Sequence, residues 1–256
     1  MFLEFTQYID LAQVCLYIFW LFFFCLVYWL RKEDRREGYP TEEDYPRRIG
    51  RTTNILFPSP KTFLTHEGGT YMPPDFVRDD REIKAKRVAQ LRGAPYEPVG
   101  DPMLAEVGPG SYAERQDTLE LSIEGHPVVV PMRKAEGYKV AAGPDVRGWK
   151  LIAGDGEEAG VVTDIWVDIV DMVVRYLEVE IGEGDDKSMR LVPMPLVRVY
   201  GEEGVVKTTA IYAKHFAQVP TTKEAETITT LEEEKIGAFF AGGLLYADEG
   251  RLGPAL

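Results

Sequence analysis

Asp164, Asp168, Asp171 and Arg175 fall within seventeen residues, DIWVDIVDMVVRYLEVE (164–180), that otherwise favour a core. Carboxylates beside a guanidinium can hold and pass protons, because neighbouring charge and burial set where each acid titrates. Burying one of them unpaired is costly. The stretch reads as two strands with a turn between. On the first, Ile165, Val167 and Ile169 share a face, and Asp164, Trp166 and Asp168 share the other. On the second, Leu177, Val179 and Ile181 oppose Tyr176, Glu178 and Glu180. This parity puts Asp164, Asp168, Glu178 and Glu180 on the solvated face of a half-buried hairpin. Asp171 falls at the turn, and Arg175 shares the parity of the buried Leu177 face. A guanidinium there must be paired or must meet something beyond the domain. Two readings stay open: a local Asp171–Arg175 ion pair, or a titratable cluster presented to a docking partner.

No other pattern nominates a catalyst. There is no phosphate loop or nucleophile elbow, and His66, His126 and His215 are scattered singly. AGGLLYA (241–247) lacks the strand–glycine–helix context of a dinucleotide site and reads as a packing feature. Cys15 and Cys25 lie on one apolar helix, roughly 15 Å apart along its axis, and cannot bridge each other. A net charge of −13 argues against nucleic acid as a partner. The chain is therefore expected not to be an enzyme.

The elements that must position these residues follow from hydropathy and punctuation. Leu11 to Leu30 is a run of 20 residues without a charge, enough for about 30 Å of hydrocarbon. Tyr8, Tyr17, Tyr28 and Trp29 form aromatic belts near its ends. The leader has two acids, Glu4 and Asp10, and no base, and bulky Trp29-Leu30-Arg31 replaces a cleavage site, so the run is expected to be a retained anchor. Arg31, Lys32, Arg35 and Arg36 follow it, which places the C-terminal side in the cytoplasm and residues 1–10 in the periplasm. These four bases are candidates for anionic headgroups. The alternative is neutralisation by Glu33, Asp34 and Glu37 at i,i+3 and i,i+4 spacing.

Residues 31–118 hold ten of the 17 prolines together with Phe57, Phe63, Tyr71, Phe76 and Tyr96. That combination suits an extended segment laid over another protein's surface. Residues 119–256 are expected to form a β domain with short strands at 126–132, 149–153, 160–169, 174–181, 189–194, 196–200 and 204–212. A short helix is expected from about Leu231, with Thr230 and Glu233 at capping-box spacing and loosening at Gly242-Gly243. The expected fold is a single N-terminal transmembrane helix plus a mainly-β cytoplasmic domain, a small barrel, with a short C-terminal helix.

Several strings, in order behind one N-terminal span, resemble the H subunit of the purple-bacterial photosynthetic reaction centre. They are LRKEDRREGYP (30–40), PKTF (60–63), GDPM (100–103), VGPGSYAER (107–115), DIWVD (164–168), RYLEVE (175–180), LEEEKI (231–236) and AGGLLYA (241–247). The resemblance implies a PRC-type β-barrel. It implies a non-catalytic subunit of the bacterial inner, photosynthetic membrane that caps the cytoplasmic face of the L and M subunits. It would stabilise the secondary-quinone site and assist proton delivery to reduced quinone. No cofactor is expected on this chain alone. Bacteriochlorophyll, bacteriopheophytin, quinones, non-haem iron and carotenoid belong to L and M, with the light-harvesting antenna as a further neighbour.

The proton relay implied for this chain comprises Asp171, Arg175, Asp168, His126 and Glu124. Where this sequence has Asp171 the family usually has glutamate, and of a histidine pair at the proton entrance only His126 matches, with Glu124 in the other place. A single-pass PRC-barrel adaptor of another membrane complex is the alternative.

Overall fold

The computed structural model describes residues 10–39, 41, 57–66, 68–75, 81–91, 93–182, 184 and 187–252. Glu4, Tyr8, Phe76, Pro40 and residues 42–56 lie outside the described residues. By its contacts the chain divides into two compact units. One is Met1–Arg81 with Val88–Pro95, and the other is Glu82–Arg87 with Tyr96–Leu256.

The first unit is led by α1, Leu11–Glu33, whose first turn is capped where the Asp10 carboxylate accepts from the Gln13 N–H at 2.8 Å. None of its residues is buried, and it is long and apolar enough to cross a membrane. The expected anchor is thus a continuous helix running three residues past Leu30. Phe19 stacks on Phe23 one turn on, at 6.1 Å between ring centroids, and no small-xxx-small face accompanies this stripe. Behind it come a 3-10 turn, Asp34–Arg36, and a two-residue hairpin, β1 (Phe63–Leu64) with β2 (Thr70–Tyr71).

In the second unit, β3 (Ala85–Arg87) pairs with β4 (Tyr96–Pro98). Seven strands then form the main sheet: β5 (Val129–Pro131), β6 (Lys150–Ile152), β7 (Glu158–Asp168), β8 (Val173–Ile181), β9 (Ser188–Pro193), β10 (Val197–Tyr200) and β11 (Val205–Thr208). Their order is β10-β11-β6-β7-β8-β9, with β5 also on β7, and only β11–β6 is parallel. The terminal strands β9 and β10 do not pair, so the hydrogen-bond ladder stays open. They are nevertheless joined by a three-residue 3-10 turn, Met194–Leu196, which keeps the ends of the rolled sheet close. Leu151, Val162, Leu177, Val179, Val192 and Val206 fill its interior at no more than 1% exposure, and Trp166 is equally buried on the opposite face.

Two expectations about α2 (Thr230–Tyr246) need correction. The cap is Thr229 with Glu232, one residue earlier than the Thr230–Glu233 pair, because "TTLEEE" offers the same spacing twice and Glu233 is engaged elsewhere. The helix also runs unbroken through Gly242-Gly243. There the Gly110 backbone and the Ala210-Ile211 turn approach so closely that a side chain has no room, and tight packing replaces the expected loosening.

Candidate functional site

Residues 119–128 fold back on themselves through the bridge Leu121↔Pro127 and a tight turn, in which Ser122 N–H donates to the His126 carbonyl at 2.7 Å. Gly125, at φ +84°, supplies the left-handed position this turn needs. The turn brings Glu124 and His126 to one wall of a groove of about 490 Å³, and Asp168 and Asp171 line the other. Glu120 adds a further carboxylate. Four of the five residues assigned to a relay are thereby brought together, although more than forty residues of chain separate the two walls.

The fifth, Arg175, continues inward from Asp168. Asp168 Oδ1 accepts the N–H groups of Val170 and Asp171, each at 2.9 Å, which shapes the hairpin turn. Its Oδ2 lies 3.9 Å from Arg175 Nη1, and Arg175 Nη2 donates to Glu233 Oε1 at 3.2 Å. Tyr176 OH donates to the same Glu233 oxygen at 2.9 Å. Burial, followed by the Glu233 charge, drives the Tyr176 phenol far above its ordinary range, so it remains a donor. Burial opposes the Arg175 charge, but the Glu233 carboxylate outweighs it and holds the guanidinium above its usual value.

The local Asp171–Arg175 pair is therefore not formed. Arg175 binds Asp168 and Glu233, while Asp171 is exposed beside Met172, which adopts a left-handed φ of +56°. Glu233 is a member that sequence reasoning missed. Its partner lies 58 residues away, and the sequence marked it only as a capping-box candidate.

Nor is the hairpin's polar face solvated. Asp164, Asp168 and Glu178 are 3%, 4% and 6% exposed, and only Glu180 stays half-buried, bonded to Lys187 at 2.6 Å. Register shifts in the β7–β8 ladder at Val162/Asp164 and Trp166/Val167 bracket this stretch, but between them Asp164 stays opposite Glu178 and Ile165 opposite Leu177. Coverage by other segments is what buries the polar face. Arg133 donates from Nη1 to Asp164 Oδ2 at 3.0 Å and Glu178 Oε2 at 2.6 Å, and Trp166 Nε1 donates to the same Glu178 oxygen at 2.9 Å. Arg133 was also missed, since its partners lie 31 and 45 residues on.

At the membrane collar the four bases divide. Arg31 lies 3.3 Å from Asp34, and Arg35 stacks over Tyr39 at 5.3 Å. Arg36 binds both oxygens of Glu33 and the carbonyls of Ser59 and Pro73, at 3.0 and 3.1 Å. It thus serves largely as a clasp. Lys32 is half-buried.

Among the described residues no group of three or more His, Cys, Asp or Glu is arranged to hold a metal ion. Residues 3–134 match the family model for the photosynthetic reaction centre H-chain N-terminal region. The chain belongs to the reaction-centre H-chain family. Residues 138–212 match the PRC-barrel domain. The groove thus draws Glu124 and His126 from the H-chain region and Asp168 and Asp171 from the barrel, with Glu233 beyond both. Arg133 ties the end of the first region to Asp164 and Glu178 of the second. An H-chain-like subunit, anchored in the membrane and associated with L and M, is the role this family carries.

Proposed function

We propose that this chain caps the cytoplasmic face of the L and M subunits and passes protons from water toward the secondary quinone those subunits hold. In this arrangement the N-terminus is periplasmic, the body is cytoplasmic, and the pigments, iron and quinones belong to L and M. The observation that carries the reading is the groove, where carboxylates and an imidazole from two distant segments converge. Exposed Asp171 and the turn carrying Glu124 and His126 exchange protons with water. Asp168, 4% exposed and hydrogen-bonded to the turn, is the inward step. Arg175, fixed between Asp168 and Glu233, places a permanent positive charge at the inner end without itself releasing a proton.

Flash-driven electron transfer in the purified complex tests this. Asp171→Asn keeps shape and removes one titration. It should slow the proton-coupled second electron transfer to the quinone while leaving the first charge separation unchanged, and Glu124→Gln combined with it should slow the step further. A normal second-transfer rate across pH in the double variant would discard the relay.

A further inference from the structure

An exposed apolar surface lies on the β3–β4 hairpin, whose strands pair only with each other among the described residues. Ile83 is 54% exposed, Val88 55% and Leu91 70%. A two-stranded hairpin with exposed apolar residues is marginal in water, and a surface beyond the described residues would steady it. Charge says what. By sequence, residues 81–92 carry five bases and one acid in a chain of net charge −13. The cytoplasmic loops of membrane-spanning partners are rich in Lys and Arg by the positive-inside rule and would repel such a run. The cytoplasmic leaflet is anionic and attracts it. The tip, Val88–Pro95, also belongs to the same compact unit as the membrane helix α1.

We propose that this tip is a second membrane contact: Val88 and Leu91 enter the interfacial layer, and Lys84, Lys86 and Arg87 beside them hold anionic headgroups. The inference is separate from the proton reading and needs only the anchor and its orientation.

The test uses the full chain in its complex, reconstituted in lipid nanodiscs. Cys15→Ser and Cys25→Ser clear the background, and Leu91→Cys carries a spin label. In discs rich in phosphatidylglycerol, dissolved oxygen should relax the label strongly and a water-soluble nickel chelate weakly. Phosphatidylcholine discs, or Lys84→Gln with Lys86→Gln and Arg87→Gln, should raise nickel accessibility about threefold or more as the electrostatic attraction is lost. Equal nickel accessibility in both lipids would overturn the proposal. So would a label shielded from both reagents whatever the lipid charge, because protein would then be covering the tip.

Discussion

Arg133 neutralises two carboxylates through one nitrogen and ties down the Ala225 carbonyl through another, at 3.2 Å. Asp164 and Glu178 are nearly fully buried, whereas the Arg133 side chain is 39% exposed. Removing one partner of a buried pair strands the other's charge, typically at about 3–5 kcal/mol, and the partial exposure here lowers that to about 2–3 kcal/mol. Arg133→Gln should therefore unfold at clearly lower denaturant concentration. Arg133→Lys should recover only part of the loss, since an ammonium cannot span the same three acceptors in a plane. Indistinguishable midpoints for wild type and Arg133→Gln would mean the network carries no net stability. The same geometry disqualifies Asp164→Asn as a solvent-face control for the proton route. Its Oδ1 caps the Ile165 N–H and its Oδ2 binds Arg133, so that change damages the fold before it tests any relay.

At the scale of elements, α2 offers a paired test of packing. A Cβ on Gly243 would overlap Ile211 Cγ2 and sit 2.7 Å from the Ala210 carbonyl oxygen, while a Cβ on Gly237 meets nothing within 4 Å. Gly243→Ala should cost about 1–3 kcal/mol through overpacking. Gly237→Ala should gain about 1 kcal/mol from helix propensity. If both substitutions shift stability in the same direction, helix packing is not what fixes the AGGLLYA stretch.

The turn Ala213–Gln218 carries a pH test of its own. Burial is the main reason the His215 imidazole lies below its ordinary value of 6.5, with Lys214 acting in the same direction. The unfolded chain then binds that proton near pH 6.5, and the folded chain only at lower pH. Between the two the unfolded state holds more protons. Stability from this site is full above about pH 6.5 and is lost as pH falls toward the folded value. His215→Asn keeps an acceptor for the Tyr212 N–H and should flatten the fall in melting temperature between about pH 7 and 5. An unchanged slope would place the acid sensitivity elsewhere.

These elements also show what the sequence could and could not disclose. Period-two runs and Gly or Pro breaks marked all seven strands of the main sheet, and the uncharged run marked α1, because those signals are local. The faces of β7 and β8 were read correctly between residues 164 and 166, but the polar one was taken as solvated because its covering guanidinium, just past the end of β5, is not local. Arg175 likewise found its acid across 58 residues, on the first turn of α2, when a candidate stood four residues away.

For the molecule as a whole, charge and anchoring act on different sides of one balance. From residue 31 onward the chain has 29 bases and 40 acids, a net −11, because Glu4 and Asp10 lie ahead of it. The cytoplasmic loops of membrane-spanning partners carry the opposite bias. In the proposed orientation the acidic body and those basic loops attract, and salt should weaken that attraction once separations exceed the Debye length, about 8 Å at physiological strength. The span contributes differently. Without small residues to admit a neighbouring backbone, α1 is expected to pack loosely and to act mainly by confining the body to the membrane surface. A fragment comprising residues 31–256, first shown by circular dichroism to retain its strands, should still dock on the L–M core in detergent. Its binding should be weaker than that of the full chain and should fall steeply with added salt. In the full chain the salt dependence should persist while the overall affinity rises, because tethering raises effective concentration without altering the contacts. If the folded fragment shows no docking at low salt, the helix holds the complex together and the body is cargo. If it docks with no salt dependence, the apolar surface outweighs the charge.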